Sequence, residues 1–393
     1  MIKKDPPARR SYPLRIGIAG AGFAARFHYD SLPPLMATLE GVYSPRESSR
    51  ESYAAARKTR AFSSVDELLD HVDVLDVCSP PASHADYIVA AARKGKDVIV
   101  EKPLTGFFGS PETHTKERML RQVADDLANL RDIVHSADIG FGYAENYIYA
   151  PSVQEERRLI ESSKAQVLRM VAEESHSGSH APTYGDWSQQ GGGALFVKGC
   201  HPLGGVLYLK RKEGIAHHGQ PIRPATVSAR THTLTKLPAF QDRGYLRTGY
   251  KDAEDFGAMH VVFEDGTVAD VFASDVVLGG VYDYVEVFAN NHRTRCRITP
   301  IGVVDLYSPA HEEFAGLALL EKVTTNEGWI PVSPEKEWAR GFRQEMQDFC
   351  QCFHDGRDPE CNLDLAIDIT LTLYAAYASA DDQGREVTVP RLP

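Results

Sequence analysis

The stretch Leu14-Arg15-Ile16-Gly17-Ile18-Ala19-Gly20-Ala21-Gly22-Phe23-Ala24-Ala25 decides the fold of this 393-residue chain. Leu14–Ala19 is a short apolar run ending in glycines, as a buried strand does. A helix-compatible stretch follows from Phe23 to about Leu32, where Pro33-Pro34 stops it. Between them, Gly20 to Ala25 fits G-x-G-x-x-A in the strand-to-helix setting that the motif requires. Gly20 permits the tight turn, and Gly22, without a Cβ, lets a pyrophosphate approach the backbone. Ala25 lets the helix pack closely on the sheet. The free N–H groups at the helix start, Phe23 and Ala24 among them, then face the phosphates. The reading is dinucleotide binding; its rival is a glycine turn without a ligand.

Outward from this turn, strand and helix signals alternate. Residues 38–43 read as a strand, 50–59 as a helix with an alanine face, and Ser64 as the cap of a helix reaching His71. Residues 72–78 are an apolar, β-branched strand, 83–93 a helix ended by Gly95, and 97–100 a strand running into Glu101-Lys102-Pro103. This rhythm predicts a parallel, doubly wound sheet. A helix over 116–136 and a strand over 139–143 follow, with 107–116 either bordering the ligand or forming a surface insertion.

From about Pro151 the texture changes. A helix over 151–162 precedes β-type runs at 166–174, 225–235, 260–263, 268–277 and 282–289, with Asp265-Gly266 as a hairpin signal. Helices over 338–353 and 365–380 close the chain. The expected fold is α/β: a Rossmann domain over 1–150 and an α+β domain over 151–393 with a mostly antiparallel sheet.

Composition narrows the function classes. Hydrophobic residues are 42% and charged residues 25%, which excludes a disordered or fibrous chain. Lys+Arg number 43 against 54 Asp+Glu, a net charge of −11, so the positive field that nucleic acid or an anionic membrane surface requires is lacking. No stretch approaches the roughly 18 apolar residues of a membrane span. Six cysteines without a CxxC pair read as reduced thiols of a cytoplasmic protein.

The second strand ends Val42-Tyr43-Ser44-Pro45-Arg46, where an acidic residue would hold the ribose diol of NAD. Glu40 lies too early, in mid-strand. Ser44 with Arg46 removes a carboxylate that would repel a 2′-phosphate and supplies a cation, which favours NADP over NAD. Alternatively Arg46 is one solvated charge among Glu47, Arg50 and Glu51.

Several ordered motifs join the glycine turn: Ser79-Pro80-Pro81-Ala82-Ser83-His84, Glu101-Lys102-Pro103, Gly191-Gly192-Gly193-Ala194-Leu195 and Gly199-Cys200-His201. The tail adds Tyr374-Ala375-Ala376-Tyr377-Ala378-Ser379, then Gly384-Arg385-Glu386-Val387 and Pro390. Together they resemble the glucose–fructose oxidoreductase / inositol dehydrogenase / rhizopine catabolism family over nearly the whole chain. The resemblance implies a Rossmann domain followed by a domain with a large open sheet, and oxidation or reduction of a sugar or polyol hydroxyl with NAD(P). It implies that Lys102 lies beside nicotinamide and substrate, and that Ser79, Pro80, His84 and Glu101 border the cofactor. It also implies a homodimer or homotetramer built through the open sheet.

Hydride transfer from a carbinol requires the C–H about 3–3.5 Å from nicotinamide C4 and a base for the hydroxyl proton. His201 suits the base, with an unperturbed pKa near 6.5. Lys102 suits a cation that polarises the oxygen, its direction restrained by Pro103. Alone, each residue reads as well as a surface lysine or a core histidine. The family pattern GG-x-x-x-D-x-G-x-H has an Asp four residues before this His; here the position is Val197, so an acidic partner is missing. Lys198 has the wrong charge to replace it, and Asp186 is the candidate to fold back.

His176-Ser177-Gly178-Ser179-His180 with Tyr184 and Trp187 suits a sugar-facing loop, Lys198 standing nearby, or an ordinary loop. No metal site is expected there, because a Ser-Gly-Ser spacer is not helical and a third acidic ligand is lacking. Asn146 and Tyr149 are expected to line the cleft by resemblance, and His217-His218 to form a solvated turn. Two other classes stay open: an NAD-retaining glycosidase that oxidises transiently with no net redox change, and a non-catalytic NAD(P)-sensing regulator.

Overall fold

The computed structural model describes residues 11–179, 181, 183–299, 304–314, 322–323, 325–332 and 336–392. The first half runs β1 (Leu14–Ala19), α1 (Phe23–Ser31), β2 (Ala37–Tyr43), α2 (Glu47–Arg57), β3 (Arg60–Phe62), α3 (Val65–Leu69), β4 (Val74–Val77), α4 (His84–Arg93), β5 (Asp97–Glu101), α5 (Lys116–Ala137) and β6 (Phe141–Ala144). Its strands form one parallel sheet in the order β3-β2-β1-β4-β5-β6. The direction of winding reverses between β1 and β4. Such a reversal opens a crevice at the carboxyl ends of the strands, where the glycine turn stands. Local chemistry sets the helix ends: the Ser64 hydroxyl accepts from the Glu67 N–H while the Glu67 carboxylate reaches back to the Ser63 N–H.

The second half begins with α6 (Asn146–Tyr149), α7 (Pro151–Ser163), β7 (Val167–Ser175), α8 (Trp187–Gln190), α9 (Ala194–Val197) and α10 (Cys200–His218). It continues with β8 (Pro224–His232), β9 (Phe256–Phe263), β10 (Val268–Ser274), β11 (Tyr282–Ala289), β12 (Arg293–Thr299), β13 (Val304–Ser308) and β14 (Gly328–Val332). Helices α11 (Lys336–Ala339), α12 (Phe342–Asp355) and α13 (Leu363–Asp381) and strand β15 (Val387–Thr388) follow. A seven-stranded sheet has the order β12-β11-β7-β10-β9-β8-β15, and its pairs are antiparallel except β7–β10. The pair β13–β14 stands apart as a two-stranded hairpin.

One helix appears that no sequence pattern announced, and three local expectations change. Helix α10 carries no apolar stripe because it is buried nearly all round until its last turn, so its sequence shows no helical period. His217 and His218 are that exposed last turn, capped by Gly219 at φ +71°, and not a separate turn. The helix expected over 338–353 is broken at Gly341, whose φ is +90° and whose position leaves no room for a Cβ against the Asn146 carbonyl. The 107–116 segment is exposed at Ser110, Glu112, Thr113 and Thr115 but anchored at its start: Phe107 is buried, its N–H donates to the Tyr374 hydroxyl, and its carbonyl accepts from the Trp187 indole. Lys116 at the other end of the segment lies 3.6 Å from the centre of the Trp187 ring.

The two halves share a core. Helix α13, almost entirely buried, packs on both α5 and β8. Helix α12 packs on α1, with Phe342 stacked on Phe27 at 5.2 Å. Among the described residues no helix is long and apolar enough to cross a membrane. All six cysteines are buried free thiols.

Candidate active site

The glycine turn separates two needs that look alike in sequence. A Cβ on Gly20, at φ +126°, would lie 2.5 Å from the Cys78 carbonyl oxygen, so glycine here lets the turn pass β4. A Cβ on Gly22 would meet nothing within 4 Å, so the turn opens into free space on that side. Helix α1 begins there without a side-chain cap, leaving its first N–H groups to that space. Ala25 is buried with Ile18, Val42 and Tyr53, and Phe23 is exposed at the rim. Room, free donors and close packing together fit a diphosphate.

At the end of β2, Ser44 is buried and its carbonyl accepts from Arg50 at 3.4 Å, while Arg46 is exposed at the start of α2. Glu40 reaches sideways to Arg60, 3.6 Å away, and Glu47 pairs with Arg50. Neither is the strand-end carboxylate that would hold a ribose diol.

The carboxyl ends of β4 and β5 are tied together by His84. Its Nε2 is 2.8 Å from the Ser79 carbonyl and its Nδ1 is 3.0 Å from the Pro103 carbonyl. Pro80 caps the short turn between Ser79 and His84. Glu101 accepts the Lys102 N–H at 2.9 Å and faces His28 Nε2 at 3.3 Å, and His28 Nδ1 in turn meets Asp76 at 2.9 Å. Burial pushes the Glu101 carboxyl up, but His28 and Lys102 outweigh it and hold the carboxyl below its usual value.

Lys102 leaves the end of β5 and its ammonium donates to the Val197 carbonyl at 3.3 Å. Burial disfavours its charge, yet Cys200, Glu101, Glu174 and Glu145 around it raise its pKa overall. His201 stands in the first turn of α10, with Nδ1 2.5 Å from Glu145 Oε1 and its ring stacked on Tyr147 at 4.7 Å. The Tyr147 hydroxyl is anchored on Asp283 at 2.6 Å. Burial, reinforced by Lys102, pushes His201 down to about 3, and burial pushes Glu145 up to about 8.

The acidic partner absent at position 197 is therefore supplied by Glu145, from the loop after β6; position 197 contributes its main-chain carbonyl to Lys102 instead. Asp186 does not fold back: it caps α8 and pairs with Lys251 at the surface. Lys198 forms a buried ion pair with Asp275 and donates to the Tyr184 hydroxyl, which itself donates to Asp275. Burial drives Lys198 well below an ordinary lysine.

The remaining expected residues divide. His176 is buried at the end of β7, its Nδ1 accepting from the Gly178 N–H at 3.0 Å. His180 lies outside the described residues. Trp187 is locked onto Phe107 and Lys116. Asn146 donates to the Arg340 carbonyl and Tyr149 to Asp348, so both side chains spend their polar atoms on the connection to α12. Two groups of potential metal ligands exist among the described residues, His28–Asp76–Cys78 and Glu145–Cys200–His201. In each, the donors already bond one another or the backbone.

Glu174 is the site residue that motif reading passed over. Glu174 was legible by register: Met170, Ala172 and Glu174 share the inward face of β7, and a carboxylate in an inward series is a signal. Glu145 stands in the stretch Glu145-Asn146-Tyr147 that the resemblance places along the cleft, but its pairing with His201 has no mark in the sequence.

Residues 14–117 match the oxidoreductase family with an NAD-binding Rossmann fold (GFO_IDH_MocA). Glucose-6-phosphate 3-dehydrogenase of Bacillus subtilis is 38% identical over 91 residues, 23% of this chain and 26% of that protein. Inositol 2-dehydrogenase of Leifsonia xyli is 28% identical over 142 residues, 32% of this chain and 42% of that protein. The chain thus spans less than half the length of these curated relatives. Among solved structures, GenD2 from gentamicin A biosynthesis, in complex with NAD, has a TM-score of 0.77 at 24% identity, covering 98% of this chain and 99% of GenD2. The apo scyllo-inositol dehydrogenase of Lactobacillus casei has a TM-score of 0.71 at 16% identity, covering 96% of this chain and 98% of that one. The shared architecture of both halves is the Rossmann sheet followed by the mixed seven-stranded sheet.

Proposed function

We propose, from the premise that residues 14–117 belong to the oxidoreductase family with an NAD-binding Rossmann fold, that this protein is an NAD(P)-dependent dehydrogenase or reductase. Its substrate is the hydroxyl or carbonyl group of a sugar, an inositol or a sugar derivative. The observation that carries the reading is the group in which a half-buried Lys102 from β5 is electrostatically coupled to buried Glu145, from the loop after β6, which contacts His201 of α10.

A bound nicotinamide supplies the hydride acceptor or donor. The chain's own residues handle the oxygen and the proton. Lys102, kept charged by the carboxylates around it, polarises the substrate oxygen. Glu145 on Nδ1 orients the imidazole and shares a proton with it, so that Nε2 accepts the hydroxyl proton when the pair has lost one and donates when it holds one. Burial of Glu145 and His201 excludes water from their contact and strengthens it, while Lys102 is half-buried.

In this reading Gly20, Gly22, Phe23, Ala24 and Ala25 hold the diphosphate, and Ser79, Pro80, His84 and Glu101 border the cofactor. Ser44 and Arg46, without a strand-end carboxylate, accept the 2′-phosphate of NADP. His176, Tyr184 and Lys198 form the polar substrate wall, which Trp187, Asn146 and Tyr149 support. Buried free thiols suit a reducing cytoplasm. Self-association uses the seven-stranded sheet, where Leu168 of β7 and Tyr282 of β11 are exposed, and light scattering on the purified chain returns two or four protomers.

The test is the absorbance of reduced cofactor across a panel of sugars and polyols. Lys102→Ala and His201→Ala each abolish turnover while dinucleotide binding persists. Retained turnover in either variant removes that residue from the chemistry.

A further inference from the structure

Strand β7 alternates, and its inward series Met170, Ala172, Glu174 ends with a carboxylate at the site. The neighbouring Glu173 is occupied, accepting the Ser175 hydroxyl at 2.7 Å. Glu174 is different. Its side chain is 10% exposed, and Oε2 has no hydrogen-bond partner although it lies 3.8 Å from His201 Nε2. Leaving a buried polar atom unsatisfied costs about 1–3 kcal/mol, more for a charged one. Neither nearby ammonium hydrogen-bonds Oε2: Lys102 donates to the Val197 carbonyl and keeps further donors for a ligand, and Lys198 is taken up by Asp275 and Tyr184.

The separation is informative. A gap of 3.8 Å is too long for a direct bond between His201 and Glu174. It suits two oxygens lying side by side, one bonded to Nε2 and the other to Oε2. Two gauche hydroxyls on adjacent carbons are spaced by about one hydrogen-bond length. Burial raises the Glu174 carboxyl above its usual value, and once ionised it can only accept, so whatever then meets Oε2 must carry a proton to donate. A phosphate or carboxylate at that position on the substrate would be repelled.

We propose that Glu174 binds the hydroxyl next to the one that reacts at His201, so that the substrates are vicinal diols with an uncharged neighbouring position. This rests on the oxidoreductase reading above. Glu174 touches substrate but not the hydrogen transferred, so it governs affinity and choice of substrate.

The probes are myo-inositol, in which every hydroxyl has vicinal neighbours, and cyclohexanol, which has one hydroxyl. Binding is measured by calorimetry on the full chain saturated with NADH or NADPH. Wild type binds myo-inositol more tightly than cyclohexanol. Glu174→Gln weakens myo-inositol on the order of tenfold to a hundredfold, as loss of a charged acceptor implies. It leaves cyclohexanol unchanged, and the imidazole 15N signals of His201 show that the site is still assembled. Equal myo-inositol affinity in wild type and Glu174→Gln overturns the proposal, as does wild type binding cyclohexanol as well as myo-inositol. Failure of the underlying reading is distinct: neither dinucleotide then binds, whichever residue stands at 174.

Discussion

Replacing Glu145 by Gln turns a buried acid into a neutral amide of nearly the same shape. Burial raises this carboxyl from 4.5 to about 8, so between those values the folded chain keeps a proton that the unfolded chain has released. Stability conferred at low pH is therefore lost as pH rises through the window, by about 1.4 kcal/mol per unit and about 5 kcal/mol over its full width. His201 works in the opposite direction. Its folded value is pushed down to about 3, so its contribution is lost as pH falls below about 6.5 and is constant above that. Between about pH 6.5 and about pH 8, Glu145 alone distinguishes the two proteins, and the Gln variant gains about 2 kcal/mol on wild type. Other raised carboxyls, such as Glu254 at about 7 and Asp283 at about 6, are common to both and cancel in the difference. Urea unfolding at a series of pH values, read as variant minus wild type, measures this slope. Parallel stability curves across that interval would refute the assignment of a proton to the Glu145–His201 pair.

Gly20→Ala and Gly22→Ala separate folding from binding. The first places a Cβ on the Cys78 backbone at a positive φ and costs on the order of a few kcal/mol in denaturation, whereas the second unfolds like wild type but binds dinucleotide weakly by fluorescence titration. Ser44→Asp restores a strand-end carboxylate, so the ratio of NADP to NAD affinity falls by about tenfold or more in binding titrations; an unchanged ratio would show that the ribose lies elsewhere.

How much of this was legible in the residues depends on distance along the chain. The glycine turn, the Ser64 cap and the strand running into Glu101-Lys102-Pro103 are each decided within a few consecutive residues, where backbone sterics and capping act. Helix α10 was hidden because periodicity reports an exposed face, and this helix has almost none. The short β3, only three residues, is held by pairing with β2 rather than by any pattern of its own.

The site divides in the same way. Lys102 and His201 stand in motifs that can be read where they lie. What surrounds them is legible only in part: register marks Glu174 as inward, but not that Glu145 and Glu174 face opposite ring nitrogens of His201 from different segments, nor that Lys198 finds Asp275 from another strand end. Sequence alone determined the glycine turn and the strand–helix alternation of the first sheet, because those follow from contiguous geometry. Tertiary structure alone decided which carboxylates face the histidine, because that depends on how β6, β7 and α10 converge, and burial at their meeting point sets the protonation of all three.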